Sequence, residues 1–170
     1  MSKMYIRIRR NKVVSQRPFD DVIRNLMAAI GAPDMASFRD AMAAARNLSE
    51  MDRIVQRAIG PSGLMEFVRF DMGEILRKGT GEATPRILRF LVGNPLIMKS
   101  MAELVPDAAS YAPLTILVDE RDDGVHLSYD SMADFLGPYE NEAASAIARD
   151  LDAKVDSLIA RAAGGSEKYE

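Results

Sequence analysis

The segment 112–130 constrains the fold more than any other part of this sequence. Its residues are APLTILVDERDDGVHLSYD, two runs of alternating apolar residues around Asp123-Gly124. An Asp-Gly pair between two such runs is a strong signal for a tight β-hairpin turn. Because the two strands of a hairpin are antiparallel, the chain must contain at least a partly antiparallel sheet.

Three further segments have strand patterns. In YIRIRRNKVVS, residues 5–15, apolar residues alternate with arginines, and Met4, Ile6 and Ile8 are predicted to share a buried face. The other two, LMEFVRFDM (64–72) and PRILRFLV (85–92), are mainly apolar and rich in branched and aromatic residues. With the hairpin, they bring the predicted sheet to about five strands.

Helical spacing of apolar residues fills most of the remaining chain. The clearest case is the last long segment, where Ala144, Leu151, Val155 and Leu158 belong to one stripe. Two helices are also predicted within 32–60, the second capped by Ser49. Strands mixed with helices favour a single α+β domain over 1–165, a largely antiparallel sheet with helices packed on one face, and a flexible tail at 166–170.

Composition excludes several classes of function. The chain of 170 residues has no cysteine, so it forms no disulfide, thiolate nucleophile or cysteine zinc site. Aromatic residues are 6% and tryptophan is absent, which disfavours nucleic acid as a partner. The N-terminus lacks a signal-like apolar core and no apolar run has membrane-spanning length, so we expect a soluble cytoplasmic protein without a membrane partner.

The stretch GNPLIMKSM, residues 93–101, raises the question of a soft metal site. Asn94 is a good helix cap and Pro95 suits the first helical position. In the helix that follows, Met101 falls on the apolar stripe and Met98 at its edge. A thioether site for copper(I) needs about three converging soft ligands. We therefore interpret the methionines as packing residues.

The stretch HLSYD contains residue types of an acyl-transfer triad, since His126, Ser128 and Asp130 alternate along a strand. Side chains two apart on a strand project in parallel, which is poor geometry for a hydrogen-bonded relay. The favoured interpretation places Tyr129 with its apolar neighbours in the core and the three polar residues in water. His126 by itself remains an alternative haem or metal ligand.

Between 64 and 162 the segments LMEFVRFDMGEIL, FLVGNPLIM, YAPLTILVDE and GVHLSYD follow one another, after a start that reads VVSQRPFDDVIRNL. In these segments and their order the sequence resembles the bacterial and archaeal domain-of-unknown-function family 302. The segment 32–60 stands outside the resemblance and is interpreted as a helical insertion. The resemblance implies a fold like that of the TATA-binding protein, often homodimeric, without an established activity.

One departure from the family pattern concerns a possible ligand. Where the family tends to have histidine after Phe-Asp, this chain has Met72. A methionine there retains the ability to bind a haem iron but removes acid–base chemistry.

These observations favour a small homodimeric binding or accessory domain over an enzyme. We expect an apolar pocket between sheet and helices, for a small ligand or a partner helix, with Met72, Asn94, Met98 and Tyr129 as candidate binding residues. One alternative is a redox or sensor protein that binds haem or a metal through Met72 or His126. Another is a purely structural dimerisation module.

Overall fold

The computed structural model of the chain describes residues 3–80 and 86–165. Within them a single sheet contains β1 (Arg10–Ser15), β2 (Met65–Asp71), β3 (Ile87–Gly93), β4 (Leu114–Arg121) and β5 (Gly124–Asp130). The strand order is β1-β5-β4-β3-β2, and each neighbouring pair is antiparallel. The predicted α+β class and the Asp123-Gly124 hairpin are confirmed, whereas the predicted tail at 166–170 lies outside the described residues.

The described residues also form seven α-helices around this sheet. They are α1 (Phe19–Ala29), α2 (Met35–Ala44), α3 (Leu48–Ala58), α4 (Met72–Thr80), α5 (Pro95–Ala102), α6 (Met132–Leu136) and α7 (Glu142–Ala162). The stripe predicted for the last helix is buried on α7, with Ala144, Leu151, Val155 and Leu158 facing the core. No helix in the described ranges is both long and apolar enough to cross a membrane.

The two faces of the sheet differ sharply in what covers them. On one face, cross-strand pairs such as Val118–Leu127 and Phe90–Ile116 are fully buried against residues of α1, α5 and α7. The opposite face, which we call the open face, contains Lys12 of β1, Arg89 of β3 and Leu117 of β4. Because the side-chain period of a strand is two residues, each strand contributes to both faces.

Residues 4–8 do not continue the first strand, contrary to the alternation in their sequence. β1 begins at Arg10, whose partner in the sheet is Asp130, the last residue of β5. Residues further towards the N-terminus therefore have no strand beside them with which to pair. Met4 is 55% exposed and Ile8 is also exposed, so the predicted buried face there is wrong.

The cap of α3 also differs from the prediction. The side chain of Asn47 accepts a hydrogen bond from the Glu50 amide at 2.9 Å, and Ser49 lies within the first turn. Asn47 and Ser49 are both favourable capping residues, so composition does not choose between them. The choice follows from where the chain turns, because Asn47 has the extended backbone conformation of a cap.

The helices α2 and α3 share a small apolar cluster beside the main core. Phe38 and Val55 pack there with Ala58 and with Met65 of β2. The cluster attaches the two helices to the beginning of β2, at the edge of the sheet.

Candidate functional site

An apolar cleft lies where β3 and β4 meet α5 and α7. It has a volume of about 100 Å³ and is lined by the following residues: Phe67, Val92, Gly93, Asn94, Pro95, Met98, Met101, Ala112, Pro113, Leu114 and Leu151. No charged side chain is among them. The cleft therefore lies between the sheet and the helices, and two of the four candidate binding residues, Asn94 and Met98, line it.

Asn94 holds one end of the cleft in place. Its side-chain oxygen accepts from the Leu96 amide at 2.9 Å, which caps α5, and its Nδ2 donates to the Gly63 carbonyl at 2.9 Å. The predicted helix cap is confirmed. Because both ends of the amide already have partners, Asn94 shapes the cleft, and one N–H and one oxygen lone pair remain unused.

The methionines of α5 form one wall. Met101 is fully buried, as its position on the apolar stripe predicts, and Met98 is half-buried at the edge of that stripe. An unbranched thioether side chain adapts its conformation to irregular neighbours at low cost. Met98 is therefore the wall residue best able to adjust to an occupant.

Tyr129, the third candidate, is not at the mouth of this cleft. Its hydroxyl donates to Asp156 Oδ1 at 2.8 Å and lies 3.2 Å from the Asp152 carbonyl, both on α7. Burial, reinforced by the hydrogen bond to Asp156, raises the pKa of the Tyr129 phenol. The residue joins β5 to α7 as a core tyrosine, which agrees with the predicted core position but not with a place in the binding site.

Met72 is also remote from the cleft. It is the first residue of α4, directly after β2, and is 37% exposed. It is not among the residues that line the cleft. The arrangement therefore separates Met72 from Asn94 and Met98.

The arrangement around His126 does not favour a haem or metal site. His126 Nε2 lies 2.8 Å from Asp123 Oδ1, at the hairpin turn. His126 is on β5 and Met72 follows β2, so two strands separate them, a distance of about 14 Å at the usual strand spacing. In the part of the chain that the structure describes, no group of three histidine, cysteine or carboxylate side chains converges.

The polar residues of HLSYD share the open face but do not form a relay. Asp130 binds Arg10 through both carboxylate oxygens, at 2.7 and 2.8 Å, while His126 is engaged by Asp123. The prediction that these residues face water is wrong for His126 and Ser128, which are 9% and 8% exposed. On the interior strand β5 each has a cross-strand neighbour on both sides, Lys12 and Leu117 beside Ser128, and Val14 and Asp119 beside His126.

The sequence model of one protein family matches residues 41–162, and that family is described as domain of unknown function DUF302. The match covers well over half of the chain. The chain belongs to the DUF302 family.

A solved structure is similar to this DUF302 chain over most of its length. It is the crystal structure of an uncharacterized conserved protein DUF302 from Bacillus stearothermophilus, with a TM-score of 0.62 and 12% sequence identity. The likeness covers 90% of this chain and 97% of that one. At this identity the similarity concerns the fold. No curated protein matches the chain at a significant level.

The DUF302 chain has a second, larger cavity that our sequence analysis missed. It has a volume of about 420 Å³, and its lining includes Arg10, Arg89, Thr115, Leu117 and Ser128 on the open face, with Tyr111 and Phe135 at one end. These residues come from four strands and from the segments around them. The only available signal was the alternation within each strand, which does not reveal the register between strands.

Proposed function

We propose that this DUF302 domain is a binding protein whose apolar cleft accepts one small apolar group. The proposal rests on one observation: the cleft between sheet and helices has apolar walls, and its lining contains no charged side chain. Ligand sites are typically concave and mostly apolar, with a few polar groups that orient the ligand. Here Asn94 already uses its amide within the fold, so recognition rests mainly on shape.

The size of the cleft limits the occupant. A dry apolar cavity of about 150 Å³ holds benzene. At about 100 Å³ the cleft takes a smaller group, such as a short aliphatic chain or one apolar side chain of a partner helix. The occupant is therefore one apolar part of a ligand or partner, and the rest of it extends outside.

Two measurements test this proposal. Native mass spectrometry of protein isolated gently from its own host is expected to show a retained mass beyond the polypeptide, and the absorbance spectrum of the same sample tests for haem. Titration with xenon gas is expected to shift the methyl NMR signals of Met98 and Met101 saturably, with little effect on Met4 and Met51. Equal shifts at all four methionines would exclude the cleft as a binding site.

We also propose that the protein assembles as a homodimer, which the family resemblance implies. The supporting surface is a β2–α4 patch formed by Val68, Phe70, Met72 and Ile75, all exposed, of which Ile75 is 63% exposed. An apolar patch of this kind on a soluble domain is typical of an interaction surface. β2 is also an edge strand of the sheet, and beyond the bridge from Gly31 to Met65 at its start, its outer side offers main-chain groups for pairing.

A second copy is the occupant that fits this patch. A twofold axis beside β2 makes the contact isologous, so the same apolar residues meet each other. Glu74 and Lys78 of α4 form an ion pair with each other at 2.6 Å, so neither brings an unpaired charge to this contact. An interface of this kind needs no other protein.

Light scattering during size-exclusion chromatography measures the assembly. We expect a mass of twice 18.7 kDa for the wild-type chain and a monomer for Ile75→Glu. The matched control is Leu48→Glu, because Leu48 is an exposed leucine on α3, outside the patch. A dimer that survives Ile75→Glu, or is equally lost in Leu48→Glu, contradicts the proposed interface.

A further inference from the structure

The larger cavity on the open face has the composition of an anion site. Its lining includes Thr115, Leu117 and Ser128, together with Arg10 and Arg89. At about 420 Å³ it falls within the range of small-molecule sites. We call this cavity the open-face basin.

Arg89 is the cation of the basin that has no carboxylate partner. In the described part of the chain its polar contacts are two long ones, from Nε and a terminal nitrogen to Thr115 Oγ1, at 3.4 and 3.3 Å. Other arginines of the molecule bind carboxylates closely, as Arg10 binds Asp130 in the same basin. A guanidinium has five donors in a fixed planar fork, so most of the donors of Arg89 remain available.

Ser128 supplies a second, independent observation. The residue is 8% exposed, and its hydroxyl oxygen is not among the buried polar atoms without a hydrogen bond, which in the described chain are Ser62 Oγ and Arg69 Nε. An accessible hydroxyl on a largely buried side chain can donate a hydrogen bond to a bound group. The Ser128 side chain lines the basin on the same face as Leu117, its neighbour across the sheet, so the hydroxyl is directed at the cavity.

We propose that the open-face basin binds a small monocarboxylate with an apolar or aromatic body. Arg89 binds the carboxylate through its fork, and Ser128 donates a further hydrogen bond. The body of the ligand lies against Leu117 and the Tyr111–Phe135 pair, whose rings stack with centroids 4.7 Å apart. This goes beyond the apolar cleft, because it assigns a different cavity and a charged ligand class.

Charge balance selects a monoanion over a doubly charged group. Among the lining residues the charges are those of Arg10, Arg89 and Asp130, which leave one net positive charge. Arg10 is already neutralised by Asp130 through two hydrogen bonds. Within the lining a phosphate dianion therefore meets one free cation, Arg89, and the nearby negative charge of Asp130, whereas a carboxylate matches the single guanidinium. Lys12, which is opposite Ser128 on β1, is outside the lining.

Benzoate is the probe, and two-dimensional amide NMR at low salt is the measurement. We expect saturable shifts around Ser128 and Arg89, with a Kd on the order of 1 mM for so small a ligand. Benzamide, which has the same shape without the charge, is expected to bind at least about tenfold more weakly. Inorganic phosphate is expected to compete poorly.

Two variants and one control test whether benzoate binds at Arg89 and Ser128. Arg89→Gln is expected to weaken benzoate binding about tenfold or more, and Ser128→Ala about threefold. Arg39→Gln is the matched control, because Arg39 is an exposed arginine on α2 without an ion pair in the described chain, and it is expected to leave the Kd unchanged. The amide spectrum of each variant verifies that it is folded.

Several results would overturn the proposal. They are the absence of saturable benzoate binding, equal affinity for benzamide, tighter binding of phosphate than of benzoate, and equal losses in Arg89→Gln and Arg39→Gln. The basin shares Pro113 and Leu114 with the lining of the apolar cleft, so the two tests are separated by their probes: benzoate is followed at Arg89 and Ser128, and xenon at Met98 and Met101. The two sites therefore fail or stand separately.

Discussion

Gly31 and Gly60 donate their amide hydrogens to the same carbonyl oxygen, that of Leu64, at 3.0 and 2.9 Å. The two ends of the segment that contains α2 and α3 therefore meet at one point, just before β2. Gly31 also accepts from the Glu66 amide at 2.8 Å, which adds a parallel bridge to the first residue of that strand. The junction joins both ends of the helical pair to the start of β2.

The junction predicts that neither glycine tolerates a side chain. A Cβ at Gly31 would lie 1.8 Å from the Ala58 carbonyl oxygen, and one at Gly60 would lie 2.5 Å from the Ile30 carbonyl carbon. Since both obstacles are backbone atoms, the chain itself must shift. We expect Gly31→Ala and Gly60→Ala each to lower the free energy of unfolding by about 3 kcal/mol, as measured by urea denaturation.

Gly137→Ala is the control for this pair. A Cβ there meets nothing within 4 Å, and the residue has helical backbone angles. Its stability is expected to equal or slightly exceed that of the wild type. If Gly31→Ala unfolds at the same urea concentration as Gly137→Ala, the junction is not the tight contact described.

The carboxylate of Asp152 on α7 holds the start of α6. It accepts from the Ser131 hydroxyl at 2.7 Å and from the amides of Met132 and Ala133 at 2.8 and 3.1 Å. Asp152→Ala leaves these buried donors without an acceptor. The free energy of unfolding is expected to fall by about 3 kcal/mol. The control, Asp150→Ala, removes an exposed aspartate of the same helix, and an equal loss there would contradict the prediction.

The apolar cleft predicts opposite effects of two substitutions on xenon affinity. A Cβ at Gly93 would lie 3.5 Å from both Phe67 and Pro113, an ordinary contact distance, so Gly93→Ala narrows the cleft without a clash. Met98→Ala widens it. We expect xenon affinity to fall in the first variant and rise in the second, each by about threefold or more. Affinities that change in the same direction would show that xenon binds elsewhere.

The pairing of Asp134 with Arg9 predicts a pH dependence of stability. The hydrogen bond from the Arg9 guanidinium, helped by the Arg9 amide, lowers the pKa of the Asp134 carboxyl below its ordinary value. A depressed pKa in the folded state means that the stabilisation is complete above the unfolded pKa, near 4, and is lost as pH falls through the folded pKa. Asp134→Asn is therefore expected to be less stable than wild type at pH 7.

The measurement is urea denaturation of both proteins over a range of pH. The difference between them is expected to be constant above pH about 5 and to shrink below about 4. Asp40→Asn, an exposed aspartate on α2, is the control and is expected to match the wild type throughout. A difference between Asp134→Asn and wild type that persists unchanged at low pH would refute the electrostatic origin.

Some features of the fold and cleft followed from local sequence alone. The Asp123-Gly124 turn, the buried stripe of α7 and the Asn94 cap each depend on residues within a few positions of one another. The burial of Met101 followed from its place on a helical stripe. The predicted start of β1 was wrong because the start does not depend on local sequence. It depends on where its partner strand β5 ends, more than a hundred residues later.

The candidate sites show the same division. Of the four candidate residues, Asn94 and Met98 lie together because they belong to one helix and its cap, whereas Tyr129 and Met72 lie elsewhere in the fold. The short helix α6 and its contact with Asp152 were not predicted, because a helix of five residues shows no periodic pattern.

What the sequence by itself determined is therefore most of the longer elements and the class of the sheet. Spacing along the chain specifies which face of a strand or helix is apolar, and turn residues specify where the chain reverses. Tertiary structure alone decided which faces meet. Arg89, Thr115 and Ser128 lie on separate strands, and they form one basin because antiparallel register aligns β3, β4 and β5. That register depends on contacts between residues distant in sequence, so no local pattern contains it.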